Sequence, residues 1–426
     1  MKEDFLHYLW KFKKFSCSNL KTTSKEEIKL YRLGVHNVAH AGPDFFNALI
    51  SIEGQKWAGN VELHIKSSDW YAHHHEQDSA YDNVILHVVW DDDIEVFRKD
   101  NTRVPTLQLR DYVDEQLLDR YHQLFVHSSN HQLPCKSGLN QIPDFLLSNF
   151  QDRLFVERLE QKSKLIMNLL SNYANNWEAV FFMLLAKNFG LKVNGDAFLS
   201  LAQSFEFSVF RKCSQDQTVL EALLFGQAGL LENESDVPYF NSLQKEYAFL
   251  KHKFNLDTRN VLPFQFFRLR PPNFPTIRIA QLASLYAKYP ALFDLVVNTN
   301  MLADFYRLFS IEISNFWKNH YTFSKESVVR DKPITRQMVD LILINTVIPI
   351  RFCYFRSLGK NTDEAVMALI TNIQAEKNTI VTRFEESGLV FQNALQSQSL
   401  LQLRQNYCDR KACLKCAIGN YLLNQD

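Results

Sequence analysis

Residues 43–66 read PDFFNALISIEGQKWAGNVELHIK. In a β-strand alternate side chains share one side of the sheet. Val61, Leu63 and Ile65 are therefore expected to enter a core, while Glu62, His64 and Lys66 emerge together on the opposite side. Phe46, Ala48, Ile50 and Ile52 alternate in the segment before it, and a turn containing Gly54 folds Asp44 back toward Glu62. Two carboxylates on neighbouring strands can ligate Mg²⁺ or Mn²⁺ while an adjacent base orients or deprotonates water. This assigns Asp44 and Glu62 to a metal, and His64 and Lys66 to catalysis, with a lysine placed to stabilise charge on a phosphate. The bland alternative is an ordinary wet face of a sheet, where Glu, His and Lys are common.

Outward from this stretch the pattern stays β-like. Val84 to Trp90 is a near-continuous apolar run, as in a central strand. Asp91–Asp93 is read as a turn into Ile94–Arg98, making a hairpin, and Thr106–Leu109 as an edge strand behind Pro105. Upstream, helices are expected at about 3–14 and 24–33. Beyond about residue 111 the period becomes helical, at 143–172, 177–189, 196–210, 218–231 and 239–253. A Pro-rich stretch at 268–275 interrupts it, and helices resume near 277–288, 299–318, 333–347 and 362–375. The expected fold is α+β: a mixed α/β domain over 1–125 with a five-strand-like sheet, then a large all-helical domain over 126–426.

Bulk properties exclude several classes. The 426 residues carry 47 basic and 47 acidic side chains, so contact with nucleic acid would need local patches rather than the field of the whole molecule. The first ten residues, MKEDFLHYLW, lack the long apolar core of a signal peptide, and no segment approaches a continuous apolar membrane span. A cytoplasmic protein without a membrane partner is the expectation. Seven cysteines, an odd number scattered along the chain, do not suggest a disulfide framework.

Three further groups carry chemistry. His64, His73, His75 and His87 form a pool of imidazoles that could ligate a transition metal, although His-rich loops are often solvated. A more conservative role for His73 and His75 is substrate contact beside the carboxylates. Cys408, Cys413 and Cys416 have C-x4-C-x2-C spacing and can converge on one metal, zinc by default, with Cys135 or His131 as a fourth ligand. Arg268 and Arg270, with Arg278, bracket a loop that opens a helix and suits a substrate phosphate, though arginines paired with acids would explain them as well. Phe225–Gly229, inside a helical pattern, is expected to let two helices approach closely.

Pro43-Asp44 with Glu62-Leu63-His64 resembles the PD-(D/E)XK nuclease superfamily, which places an Asp on one strand and an acid-x-Lys on the next. His64 stands where that superfamily usually has lysine, and Lys66 could substitute from the same face. Glu26 or Glu27 resembles its accessory acid. The resemblance implies a crossover helix after the acid-bearing strand, which must fit in the about sixteen residues between Lys66 and Asn83. It also admits an iron–sulfur cluster at the terminal cysteines, since some related nucleases carry one near a chain end. Across nearly the whole chain, Gly42-Pro43-Asp44-Phe45, Gly59 to His64, Ser68-Asp69-Trp70, His73-x-His75, Tyr81 to Val89, Phe225 to Leu230, Arg270-Pro271 with Asn273-Phe274-Pro275, and the terminal cysteines resemble the bacterial family catalogued as domain of unknown function 2851. That family brings no activity with it. The expectation is metal-dependent hydrolysis of phosphodiesters, on DNA, or a degenerate nuclease-like domain that binds nucleic acid. The alternatives are a non-enzymatic interaction protein with a structural metal, and a His-based metal enzyme acting on a small molecule.

Overall fold

The structure is a computed structural model describing residues 1–38, 40–126, 133–360 and 363–425. The chain forms two units. The first comprises residues 1–148 with 387–389 and 403–426, and the second 149–386 with 390–402. The boundary expected near residue 125 therefore shifts, and the cysteine-bearing terminus belongs to the sheet unit rather than the helical one. Periodicity cannot reveal this return. It comes from tertiary packing: Leu423 enters the core of the first unit, and the Asn424 amide donates to the Tyr8 hydroxyl at 2.9 Å.

The first unit begins with α1 (Glu3–Lys11), whose Phe5, Leu6, Leu9 and Trp10 are fully buried. The strands are β1 (Ile28–Arg32), β2 (Val35–His36), β3 (Phe45–Ile52), β4 (Gln55–Lys66), β5 (Val84–Asp91) and β6 (Thr106–Gln108). They form one mixed sheet in the order β1-β3-β4-β5-β6, with β2 also on β3. β3 runs antiparallel to β1 and β4, whereas β4, β5 and β6 are parallel. Glu53 and Gly54, both at positive φ, make the two-residue turn that places β3 beside β4. The parallel link from β4 to β5 is short and contains α2 (Asp69–Ala72).

Two local expectations give way. Residues 28–32 are an edge strand, not part of a helix, because pairing with Ile50–Ile52 of β3 outweighs the helical spacing. Residues 94–98 do not form a hairpin with β5; they contribute only the bridge Phe97–Arg103 and act as an anchor for the segment after β4. Thr106–Gln108 is an edge strand as expected.

One sheet face is apolar. Val61, Leu63, Leu86 and Val88 pack in one cluster with Phe5, Leu6, Leu9 and Trp10, and with Leu117, Tyr121 and Leu124 of α3 (Glu115–Val126). The second unit is helical, beginning within α4 (Asp144–Asn172) and continuing through Trp177–Phe189, Leu191–Gln203, Gln217–Gln227, Pro238–Phe254 and Pro275–Lys288. Gly226 permits the close approach expected there, since a Cβ would lie 2.1 Å from the Tyr247 ring of the next helix. The helical run Arg336–Ser357 is long and apolar enough to cross a membrane, but 72% of its apolar window is buried in this unit's core.

Candidate metal centre

Glu62 and His64 project from the face of β4 opposite Val61 and Leu63, yet neither is wet: they are 5% and 1% exposed. The expectation of an open polar face is corrected by the segment after β4, which folds over it. Asp93 holds the start of that segment, accepting from the Ser67 hydroxyl at 3.0 Å, the Ser68 amide at 2.9 Å and the Ser68 hydroxyl at 2.9 Å. Trp70 is fully buried and donates its indole N–H to the Phe97 carbonyl at 3.1 Å. The Tyr71 hydroxyl donates to the Glu95 carbonyl and accepts from the Phe97 amide. The loop is thus fixed at both ends of a short helix, and His73 and His75 are delivered onto Glu62 and His64. Tyr81 stacks on His75 with ring centroids 3.7 Å apart.

The donor atoms meet. His64 Nε2 lies 3.1 Å from His73 Nδ1 and 3.5 Å from Glu62 Oε1, and His75 Nε2 lies 3.4 Å from the same Glu62 oxygen. The three imidazoles offer ligand atoms all within 4.8 Å of one another. A tetrahedral ion with metal–nitrogen bonds near 2.05 Å separates its ligands by about 3.3 Å. The observed edges bracket that value. His64 Nδ1 lies 2.9 Å from Nε2 of the fully buried His87, which can fix the His64 tautomer as partners of metal-bound histidines do. His73 is exposed and forms the solvent side of the cluster.

A second group adjoins the first. Glu3 and His7, one turn apart on α1, gather with Asp44 at the start of β3. His7 Nε2 lies 3.1 Å from Asp44 Oδ2 and 3.7 Å from Glu3. Asp44 and Glu62 are locked across the strands: the Asp44 amide donates to Glu62 Oε2 and the Leu63 amide donates to Asp44 Oδ2, each at 3.0 Å. Neither His7 Nε2 nor His75 Nε2 makes an aligned hydrogen bond among the described residues, despite the nearby carboxylates.

The electrostatics match a site built for a cation. Burial, then the charge of Asp44, pushes the Glu62 carboxyl up to about 9. Burial, then neighbouring His75, His73 and His7, pulls His64 down to about 3. His75 and His87 are lowered, first by burial. Burial also lowers His7, but the adjacent Asp44 carboxylate, with Glu3 and Asp4, outweighs it and leaves His7 raised. Neutral imidazoles are the ligating form. Three imidazoles and a carboxylate suit Zn²⁺, Mn²⁺ or Fe²⁺, whereas Mg²⁺ prefers an oxygen shell.

A family model matches residues 3–379, spanning both groups of ligands. The chain belongs to the family described as protein of unknown function (DUF2851). Cys408, Cys413 and Cys416 lie beyond the matched residues. Neither the curated proteins nor the solved structures contain a match to this chain.

The remaining sequence candidates divide clearly. Lys66, at the end of β4, is exposed, and among the described residues no ion pair or hydrogen bond brings its ammonium to Asp44 or Glu62. Glu26 accepts from the Thr22 hydroxyl and Glu27 pairs with Lys29, so the acid beside Asp44 is Glu3. Arg268 and Arg270 are exposed residues of the second unit, while Arg278 is buried and bonded to Gln281 and Asn273. Cys135 joins Cys408, Cys413 and Cys416 around one small cavity, and His131 lies outside the described residues. Among the described residues no two cysteines form a disulfide. The sequence reading overlooked His7, Glu3 and Tyr81. A Glu-x3-His pair on the polar side of an otherwise apolar helix was the available signal for the first two.

Proposed function

We propose that the first unit is a transition-metal-dependent phosphodiester hydrolase with a nuclease-like core, acting on nucleic acid. The observation that carries this reading is the convergence of His64, His73 and His75, with Glu62 against His64 and His75, beside Asp44. The phosphodiester part rests on three features in the arrangement that the PD-(D/E)XK resemblance implies. Asp44 and Glu62 sit on adjacent antiparallel strands, β4 continues to a parallel β5, and the link between them contains a helix.

Glu62, His64, His73 and His75 would hold the ion, and His87 would orient His64 through its Nδ1. When bound, the ion would lower the pKa of a coordinated water and polarise a phosphoryl oxygen. Asp44, backed by His7, supplies a carboxylate–imidazole pair next to the cluster that can accept a proton from water. Lys66 stands outside this arrangement, so the role that the superfamily gives to lysine passes to the histidines.

A second reading, a His-based metal enzyme for a small molecule, is favoured by the same three converging imidazoles. The test is hydrolysis of single- and double-stranded DNA and of an aryl phosphodiester by manganese-loaded protein, with Glu62→Gln and His64→Ala. Loss of DNA cleavage by at least about a hundredfold in both variants is expected. Undiminished cleavage in Glu62→Gln would contradict the site, while aryl ester hydrolysis without DNA cleavage would select the small-molecule reading. Metal binding with no hydrolysis of any substrate would leave a structural metal in an interaction protein.

A further inference from the structure

Asp44 and Glu62 were expected to share one ion, but the structure divides them between two sets of donors. Glu62 turns Oε1 toward His64 and His75, at 3.5 and 3.4 Å. Asp44 turns Oδ2 toward His7 Nε2, at 3.1 Å, and Glu3 Oε1 lies 3.7 Å from the same nitrogen. The ligand atoms of Glu3, His7 and Asp44 all lie within 4.8 Å of one another, as a group separate from that of His64, His73 and His75.

Two elements supply this second set. Glu3 and His7 are four residues apart and share one face of α1, while Phe5, Leu6, Leu9 and Trp10 fix the helix to the core. Asp44 precedes β3, and Asn37 sets its approach: the Asn37 backbone amide donates to the Asp44 carbonyl at 2.7 Å, and its side chain donates to the carbonyls of His40 and Pro43 at 2.7 and 3.2 Å. The Leu63 amide then fixes the Asp44 carboxylate from β4. All three side chains are half-buried, which leaves one side of the group open to water.

The charges around it favour a cation. Among the described residues no lysine or arginine pairs with Glu3, Asp44 or Glu62, and imidazoles are their ion-pair partners. Glu62 lies in the field of both Asp44 and Glu3, and Glu3 in that of His73 and Asp69, so the two donor sets adjoin. An ion held by Glu62 and the three histidines leaves Glu3 and Asp44 as two carboxylates with one imidazole between them. Carboxylates gathered in this way repel one another unless a cation joins them. An octahedral ion with bonds near 2.1 Å separates adjacent ligands by about 3.0 Å. The edge from Asp44 to His7 has that length, and Glu3, with its side chain 43% exposed, has room to close the longer edge. Two carboxylates and one imidazole suit Mn²⁺ or a similar divalent ion.

We propose that Glu3, His7 and Asp44 hold a second divalent cation beside the first centre, with Glu62 between the two. This is a claim about metal binding and stands apart from any hydrolysis. Glu3 is in the first turn of α1 and loses side-chain freedom on ligation, so the second ion binds more weakly than the first and enters after it. While only the first site is filled, Asp44 and His7 remain available to accept a proton; the second ion occupies them as metal rises.

The test is a manganese titration of the metal-stripped full chain, read by paramagnetic resonance, in wild type, Glu3→Gln and His7→Ala. Wild type should bind in two steps, the second at a free concentration at least about tenfold above the first. Filling the second site should broaden the signal of the first, since ions in two-metal centres lie about 3.5–4 Å apart. Both variants should keep the first step and weaken the second by at least about tenfold. Glu3→Gln changes a partly exposed side chain and keeps its shape, so it carries the test should His7→Ala prove unstable. A single step in wild type, or a second step unchanged in both variants, would overturn the proposal and leave the first centre intact. A single step weakened by His7→Ala would overturn it by giving His7 to the same ion as Glu62, and no binding by wild type would remove both sites.

Discussion

The two ligand clusters of the first unit are built on opposite plans. Around Glu62 the donors are borderline nitrogen and oxygen atoms, already at the edges of a single coordination sphere and supported by a second layer in His87, Asp44 and His7. Around Cys408 the donors are soft sulfurs spread about an apolar cavity. The first is preorganised by a strand and a pinned loop, so its geometry is in place before any ion arrives. The second is carried by short helical elements: Cys408 closes the turn Arg404–Cys408, Cys413 opens Cys413–Lys415, and Cys416 precedes the helix Ala417–Leu423. Donor softness would let the two clusters discriminate between metals.

The strongest way to break the comparison is to remove a ligand from the preorganised cluster alone. His64→Ala should lower manganese affinity by at least about a hundredfold while leaving the reactivity of the cysteine thiols unchanged. Equilibrium dialysis of the variant against wild type reads the first, and thiol titration the second. A change in both together would show that the two clusters are coupled.

Trp70→Ala attacks the pinning of the loop rather than a ligand. Deleting a fully buried indole should cost about 3–5 kcal/mol in urea unfolding. It should weaken metal binding as well, because His73 and His75 follow Trp70 in the same segment. Unchanged metal affinity in a destabilised variant would mean that the loop is not what places those histidines.

The metal-stripped protein should carry a pH signature from the first cluster. The Glu62 carboxyl holds its proton up to about 9 when folded, far above its ordinary value, so this group's contribution to stability is lost as pH rises toward 9. His64 is pulled down to about 3, so its contribution is lost as pH falls from its ordinary value near 6.5 toward 3. Between about 4.5 and 6.5 the slopes of Glu62 and His64 oppose each other, and above 6.5 the Glu62 fall remains, with the raised His7 adding to it in the same direction. Urea midpoints in chelator should therefore fall from pH 6.5 to 9 in wild type and stay flatter in Glu62→Gln. Loading with manganese should reverse the alkaline fall, since the ion favours the carboxylate.

Smaller effects sharpen the boundary of the site. His87→Gln should weaken metal binding about tenfold, as loss of an orienting partner does. Arg268→Ala and Arg270→Ala, exposed in the other unit, should change stability by less than about 0.5 kcal/mol and leave metal affinity untouched. A drop in DNA binding in those two variants, measured by fluorescence anisotropy, would restore them as substrate contacts.

Much of this was legible in the sequence, and the omissions have physical causes. Strand alternation in 55–66 placed Glu62 and His64 on one face, and C-x4-C-x2-C announced the thiols, because in both cases the ligands are near neighbours along the chain. The α+β class followed from the change of period after residue 111. Burial of the polar face was not legible, since it depends on Asp93 and Phe97 capturing a loop that by composition reads as solvated. His7 and Glu3 were missed because their partner, Asp44, is distant in sequence and only the fold joins them. The return of residues 403–426 to the first unit was hidden for the same reason, as was the pairing that turns residues 28–32 into a strand.

The most direct test of the central claim is a manganese titration of metal-stripped protein followed by paramagnetic resonance, comparing wild type with a His64→Ala, His75→Ala double variant. Manganese is the choice because thiolates bind it poorly, so the cysteines do not compete. The account predicts one bound Mn²⁺ per wild-type chain and none in the double variant at the same free concentration. Equal binding by the two proteins, or none by the wild type, would contradict it.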